Sequence, residues 1–182
     1  FRRVLASCSA AVFLFCLLAN QTVHAQAATF DGYWFPIFHE DNLERGQGPP
    51  AGDYTGIPLN EAGRLRADTW DPSLLTVPEH QCKPHPAFYG FRAVGAMRMW
   101  HDRDERSQEL LSINTRQQWA GGPERKFWMD GRPHPDDMTP HTWQGFSTGK
   151  WEGQYLVGKT THLKSSYIRR SGVVVSDRAT LV

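Results

Sequence analysis

The sequence predicts a mainly β fold, an antiparallel meander that forms an incomplete barrel or a sandwich, and three observations support this. Residues favoured in strands lie on both sides of the short turn Trp151-Glu152-Gly153. Apolar and polar residues alternate over residues 96–101, and strand-forming residues follow at 109–114. No helical crossover separates these segments, which excludes a parallel α/β design and favours antiparallel pairing.

The first 25 residues are typical of a secretory signal peptide. Arg2 and Arg3 form a basic start, residues 4–19 are apolar, and small residues lead to Ala25. The apolar run is shorter than the ~20 residues that a spanning helix needs. We therefore expect residues 1–25 to be cleaved off, leaving a periplasmic or extracellular protein without a stable membrane anchor.

Composition limits the partners of the mature chain. The full sequence has 20 Lys plus Arg and 19 Asp plus Glu, a formal net charge of +1. Cleavage would remove Arg2 and Arg3, so 18 basic residues would face 19 acidic ones and the formal charge would be −1. Near-neutrality argues against nucleic-acid binding through a general basic field.

We expect residues 26–182 to form one structural domain, since this length suits a single core. Residues 26–95 form a Pro- and Gly-rich N-terminal wrap, and residues 96–182 form the β module. The sequence ends on Leu181-Val182 within a segment that reads as a strand. We therefore expect the β module to be truncated, with further strands beyond this point.

The wrap is predicted to contain a short strand and one helix. The strand lies within the aromatic residues 29–38 and is interrupted at Pro36. Asn60 is a suitable helix N-cap, Glu61 suits the first turn, and Pro72 lies beyond the end of the helix. We expect this helix to plug or cover the sheet.

The β module is predicted to be a series of strands joined by turns. The predicted strands are 96–101, 109–114, 125–129, the two arms of the 151–153 turn, 167–170 and 173–175. Asp130-Gly131 is expected to open a loop, because Pro follows it at 133 and 135. At the 151–153 turn we expect a three-residue loop with Gly153 left-handed in a G1 bulge, since Glu152 is poorly suited to positive φ.

Two motifs of the second half carry a resemblance to a known group. They are Met-Asp-Gly-Arg-Pro-His-Pro at 129–135 and Trp-Gln-Gly-Phe-Ser-Thr-Gly-Lys-Trp-Glu-Gly at 143–153. The chain resembles a group of uncharacterised bacterial exported proteins with the pattern MDGRxHP, a gap, then WxGxSxGxWEGDTLVV. The resemblance extends to residues 56–70 and 78–86. It implies export and relatives with further strands, and it brings no established activity.

The chain departs from that pattern at Gln154, where the group usually has Asp. The substitution argues against a role for an acid at this position.

A His-x-Cys-x-x-His cluster is a candidate metal site. A thiolate from Cys82 with the imidazoles of His80 and His85 could hold zinc or copper. Such a site would make the protein a metal-dependent enzyme, with hydrolysis as the expected chemistry. The alternative is a surface loop with a half-buried Cys and no cofactor.

The leading functional hypothesis is small-molecule binding, in a module lipocalin-like in general style. The predicted ligand-binding residues are Trp143, Trp151, His134, His141 and Arg132. Their rings would line the mouth of the β module for an apolar or carboxylate-bearing ligand. We expect an arginine, Arg98 or Arg132, to bind the carboxylate. The alternative is that the Trp side chains only fill the core.

Two further alternatives remain open from the sequence. His134, His141 and His162 could supply a general base on one rim of the module. An exposed sheet edge could instead pair with a partner protein, which would make the chain a scaffold. The sequence contains no Gly-rich phosphate loop, nucleophile elbow, HExxH or CxxC, so the enzyme classes marked by those motifs have no positive support.

Overall fold

A computed structural model describes residues 29–37, 52–54, 56–71, 73, 83–91, 95–118, 122–167 and 172–182. The predicted signal peptide, residues 1–25, lies outside these ranges, as do His80 and Cys82 of the predicted metal cluster. No helix within the described ranges is long and apolar enough to span a membrane.

The fold is mainly β, as the sequence predicts. A six-stranded sheet has the order β1-β2-β3-β4-β5-β6, and β7 and β8 form a second, two-stranded sheet. The strands are β1 (Gly32–Trp34), β2 (Met97–Arg103), β3 (Leu110–Gln117), β4 (Glu124–Trp128), β5 (Phe146–Glu152), β6 (Tyr155–Thr161), β7 (Ser166–Tyr167) and β8 (Val174–Val175). Among the described strands the large sheet is open, with β1 and β6 at its edges.

One strand pair differs from an antiparallel meander. β4 and β5 are parallel through Phe127↔Ser147 and Trp128↔Thr148, whereas the other strand pairs are antiparallel. The connection over residues 129–145 contains three prolines, which cannot donate ladder hydrogen bonds. This connection returns the chain to the starting end of the sheet without a helix, so the sheet is mixed.

The turn between β5 and β6 is shorter than predicted. Glu152 pairs with Tyr155, so the loop holds only Gly153 and Gln154, and the predicted three-residue loop is wrong. The prediction of a left-handed Gly153 is confirmed by its φ of 61°. A positive φ at the first of two central positions is typical of a type II′ turn. In this turn Gly153 has the positive φ, and Glu152 stays in the strand. Trp151 pairs with Leu156, so the two side chains share a face.

Side-chain alternation gives the large sheet two different faces. The register aligns Met99 with Thr115 and Thr115 with Arg125, while Phe127 is aligned with Ser147. We call the face with these residues the cleft face. The opposite face, the polar face, carries Arg98, Asp102, Arg116, Lys126 and Lys159.

Helix α1 (Glu61–Asp68) begins as the sequence predicts. The Asn60 side chain is the N-cap and accepts a 2.8 Å hydrogen bond from the backbone N–H of Gly63. The helix buries Ala67 against Tyr54 and Val173, next to the small sheet. Among the described residues, α1 therefore covers the two-stranded sheet, and the expectation that it covers the large sheet is not met.

A single helical turn, α2 (Ala87–Gly90), lies over the cleft face. Ala87 is buried, and its N–H donates to the carbonyl of Trp143 over 3.0 Å. The Gln144 side chain donates to the carbonyl of His85 over 2.6 Å. These two bonds tie α2 to the end of the 129–145 connection, and this fixes one wall of the cleft.

Candidate ligand-binding cleft

An apolar cleft of about 710 Å³ opens on the cleft face of the large sheet. Its floor comes from the strands, with Met97 and Met99 of β2, Phe127 of β4 and Leu156 of β6. The floor follows directly from strand alternation, because Arg98 and Lys126, the neighbours of these side chains, point to the polar face.

The walls of the cleft come from outside the sheet. Helix α2 and the residue after it bring Phe88 and Phe91 over the strands, with the Phe91 and Phe127 ring centroids 6.5 Å apart. Gly158 leaves room for this packing, because a Cβ at that position would lie 2.8 Å from the Phe127 ring. At the other end, Leu181 exchanges backbone hydrogen bonds of 2.9 and 3.0 Å with Thr160.

An aromatic rim borders the cleft beside β1. The ring of Phe30 stacks on Trp151 with centroids 5.8 Å apart and planes 12° from parallel. The indole N–H of Trp34 donates to the carbonyl of Phe30 over 2.8 Å. Because Phe30 and Trp34 both line the cleft, the N-terminal wrap contributes directly to the candidate site.

Arg125 is the single charged side chain among the described lining residues. Its Nε donates to the Ser147 hydroxyl over 3.2 Å, Nη1 to the Ala87 carbonyl over 3.4 Å, and Nη2 to the Thr160 hydroxyl over 2.5 Å. The guanidinium also lies 4.4 Å from the Phe127 ring centroid. Ser147 and Thr160 are themselves buried and lie 2.9 Å apart, so the arginine is anchored in the floor.

Among the described residues, no carboxylate forms an ion pair with Arg125. The ion pairs of the described residues lie elsewhere, at Arg116–Glu124, Lys126–Asp102, Arg132–Asp130 and Lys150–Glu152, and Asp31 is hydrogen-bonded to His101. Burial lowers the pKa of Arg125 to about 10, so the guanidinium stays charged at neutral pH. The apolar cleft thus contains a cation whose partners among the described residues are neutral.

The structure does not bring the five predicted ligand-binding residues into one site. Trp151 borders the cleft through Phe30, and Trp143 lies beside α2 with the Lys164 ammonium 5.4 Å from its ring centroid. Arg132 lies elsewhere, on the polar face, with its guanidinium 3.5 Å from the Trp128 ring centroid.

His134 and His141 lie together in a second, polar pocket of about 560 Å³, which His162 also lines. Both nitrogens of His134 are hydrogen-bonded, to the hydroxyls of Thr161 (2.8 Å) and Thr148 (2.9 Å). Both nitrogens of His162 are also bonded, to the Thr161 hydroxyl and the Asp136 carbonyl. The Nδ1–H of His141 donates to the Leu163 carbonyl over 2.8 Å. These contacts give His134 and His162 structural roles.

Burial lowers the pKa of His134, and the charges of Lys159 and His162 lower it further. A neutral imidazole can donate from one nitrogen and accept at the other, which suits the two hydroxyl partners.

Of the predicted metal cluster, only His85 falls within the described residues. It is half-buried, and its carbonyl accepts from Gln144. The described ranges contain no group of three His, Cys, Asp or Glu side chains that could hold a metal ion.

The sequence-based predictions name Arg98 or Arg132 for a ligand carboxylate and do not include Arg125, which lines the cleft. Arg98 lies on the polar face, with its guanidinium 5.1 Å from the Trp100 ring centroid. The useful signal is alternation within Glu124–Trp128, which places Arg125 on the same face as Phe127. That pattern alone does not say which face carries a cleft.

Comparisons of this chain with protein-family models, with curated proteins and with solved structures found no match. The resemblance carried by residues 129–135 and 143–153 therefore stays a prediction.

Proposed function

We propose that this protein is a small-molecule-binding module whose ligand occupies the apolar cleft. The observation that carries the proposal is the concave, apolar volume of about 710 Å³. Small-molecule sites typically have volumes of roughly 300–1,000 Å³ and are lined mainly by apolar and aromatic side chains with few polar groups. The described lining matches this description, with Arg125 as its charged group.

The positions of the walls support a preformed site. The floor belongs to paired strands, and α2 is held to the 129–145 connection by the Ala87–Trp143 and Gln144–His85 bonds. Gly158 and the two-residue turn at Gly153 let β6 approach the Phe127 ring and β5 closely. A preformed apolar site loses less conformational entropy on binding than one that must first be ordered.

The experiment is a titration of the full chain with N-phenyl-1-naphthylamine, an uncharged aromatic dye whose emission rises in apolar surroundings. We expect a saturable rise with one dye per chain. Leu156→Trp places a large ring in the cleft and should weaken binding by roughly tenfold, about 1.4 kcal/mol. Val157→Trp is the matched control, since Val157 is the next residue of β6 and faces the other side of the sheet.

A dye that does not saturate would overturn the proposal. Equal weakening by both variants would also overturn it, because the effect would then not depend on the cleft face.

We also propose that the protein acts outside the cytoplasm, in the periplasm or beyond, after loss of residues 1–25. The basic, apolar and small-residue pattern of that segment supports the proposal. The test is N-terminal sequencing of the protein from a bacterial periplasmic extract, with Gln26 as the expected first residue. An uncleaved chain confined to the cytoplasm would contradict it.

A further inference from the structure

We propose that the ligand of the cleft is an amphipathic anion, an apolar molecule ending in a carboxylate that Arg125 binds. The inference rests on the proposed function, because it names the chemical class of ligand for the same cleft. It is carried by a juxtaposition in the floor: one cation, whose described partners are all neutral, lies among apolar side chains.

The hydrogen bonds of Arg125 hold the guanidinium in place without exhausting it. A guanidinium has five N–H groups. Nε, Nη1 and Nη2 each donate one bond, to Ser147, Ala87 and Thr160. Two N–H groups therefore have no acceptor among the described residues. A carboxylate can accept two N–H bonds from one guanidinium, which matches the number left over.

Within the described ranges, no acidic group compensates the charge of Arg125. Its contacts are two hydroxyls, one carbonyl and the rings of Phe127 and Phe91, at 4.4 and 5.8 Å from the guanidinium carbon. None of these partners carries a negative charge. A half-buried cation without a counter-ion is unfavourable, and a bound anion would restore the balance.

The surroundings select the rest of the ligand. The lining around Arg125 is apolar, with Met97, Met99 and Phe91 among its side chains. A small hydrophilic acid would lose its hydration there without gaining apolar contacts. Because the described lining carries a single cation, it suits one negative charge better than a phosphate dianion. The favoured ligand is therefore a monocarboxylic acid with an apolar body.

The experiment compares three competitors of equal chain length, decanoate, decanol and decylammonium, for displacement of N-phenyl-1-naphthylamine from the full chain at neutral pH. We expect decanoate to displace the dye at roughly tenfold lower concentration than the other two. Arg125→Met should remove this preference, so that decanoate and decanol displace the dye at similar concentrations. Arg125→Lys should keep part of it, because a charge remains without the planar pair of donors. Arg98→Met on the polar face is the control and should leave the preference for decanoate unchanged.

The outcomes separate the two proposals. Decanol and decanoate acting equally on the unaltered protein would overturn the carboxylate inference and leave the cleft as a binding site, and this comparison decides even if Arg125→Met does not fold. A preference that survives in folded Arg125→Met would overturn the inference in the same way. Failure of all three competitors, with no saturable dye binding, would overturn the proposed function as well.

Discussion

The two faces of the large sheet are built by the same strands, yet their charged groups differ in what they contact. On the polar face, Lys126 lies 3.1 Å from Asp102 and Arg116 lies 3.5 Å from Glu124. One residue along β4, on the cleft face, the hydrogen-bond partners of Arg125 in the described part of the chain are all neutral. The paired charges are accounted for as surface structure. A cation in an apolar floor that has no carboxylate partner among the described residues supports the proposed ligand.

His134 provides a second contrast with Arg125. His134 on the polar side has both ring nitrogens satisfied by Thr161 and Thr148, so the fold alone accounts for its position. Both ring nitrogens of His134 are thus occupied, whereas two N–H groups of Arg125 have no acceptor among the described residues.

The largest effect is expected from adding a side chain at Gly158, where β6 passes close to the Phe127 ring. Gly158→Val would place a Cβ 2.8 Å from the Phe127 ring, so the ring, which lines the cleft, must shift. We expect a loss of about 2 kcal/mol in the free energy of unfolding, with weaker dye binding, as in other overpacked cores. Urea denaturation measures the first and dye titration the second. Lys159→Ala, next along β6 and exposed, is the control; an equal loss there would break the distinction between the faces.

His134→Ala should come next, with a loss of roughly 1–2 kcal/mol, because it removes two hydrogen bonds and leaves two threonine hydroxyls without their partner. Dye binding should not change, since His134 lies away from the cleft. A large change in dye affinity together with unchanged stability would contradict the structural role.

His134 also predicts the direction in which the free energy of unfolding changes with pH. Its pKa in the folded protein lies below the ordinary value of 6.5, because burial disfavours the charged ring. The unfolded chain therefore takes up the proton first as the pH falls. The stability from neutral His134 is complete above about pH 6.5 and is lost as the pH drops through that value towards the lower folded pKa. Urea unfolding at about pH 7.5 and pH 5.5 should show this loss, and the slope should be flatter in His134→Ala.

The smallest expected change in stability separates a ligand-binding arginine from a structural one. Without ligand, Arg125→Met should alter the free energy of unfolding by no more than about 1 kcal/mol. Removing a half-buried charge that has no described counter-ion offsets the loss of its three hydrogen bonds, and its Ser147 and Thr160 partners still bond each other. Lys126→Met on the polar face breaks the Asp102 pair, whose side chains are 43% and 42% exposed, and should cost only a few tenths of a kcal/mol.

Urea titrations of both variants check these values. A loss of several kcal/mol in Arg125→Met alone would show that the fold, rather than a ligand, requires the guanidinium.

Local signals predicted the elements well. Asn60 caps its helix, the 96–101 and 109–114 segments pair as β2 and β3, and Gly153 has positive φ. Each of these depends on a few neighbouring residues, such as a cap oxygen, alternation, or the freedom of glycine. The mainly β fold followed from them.

The non-local features were not predictable in the same way. The parallel pairing of β4 and β5 depends on how residues 129–145 cross the sheet, and no local pattern encodes that path. The cleft is non-local as well. Arg125 and Met99 share its floor only through the β2–β3–β4 register, and α2 adds part of its wall. The sequence therefore pointed to an arginine for a carboxylate but selected Arg98 or Arg132.

The four methionines offer the most direct test of the cleft as a binding site. Met97 and Met99 line it, whereas Met138 is 90% exposed and is not among the described lining residues. In the full chain labelled with ¹³C at the methionine methyl groups, titration with decanoate should shift the Met97 and Met99 signals saturably and leave Met138 unmoved. Unchanged Met97 and Met99 signals, or a Met138 shift as large as theirs, would contradict binding in the cleft.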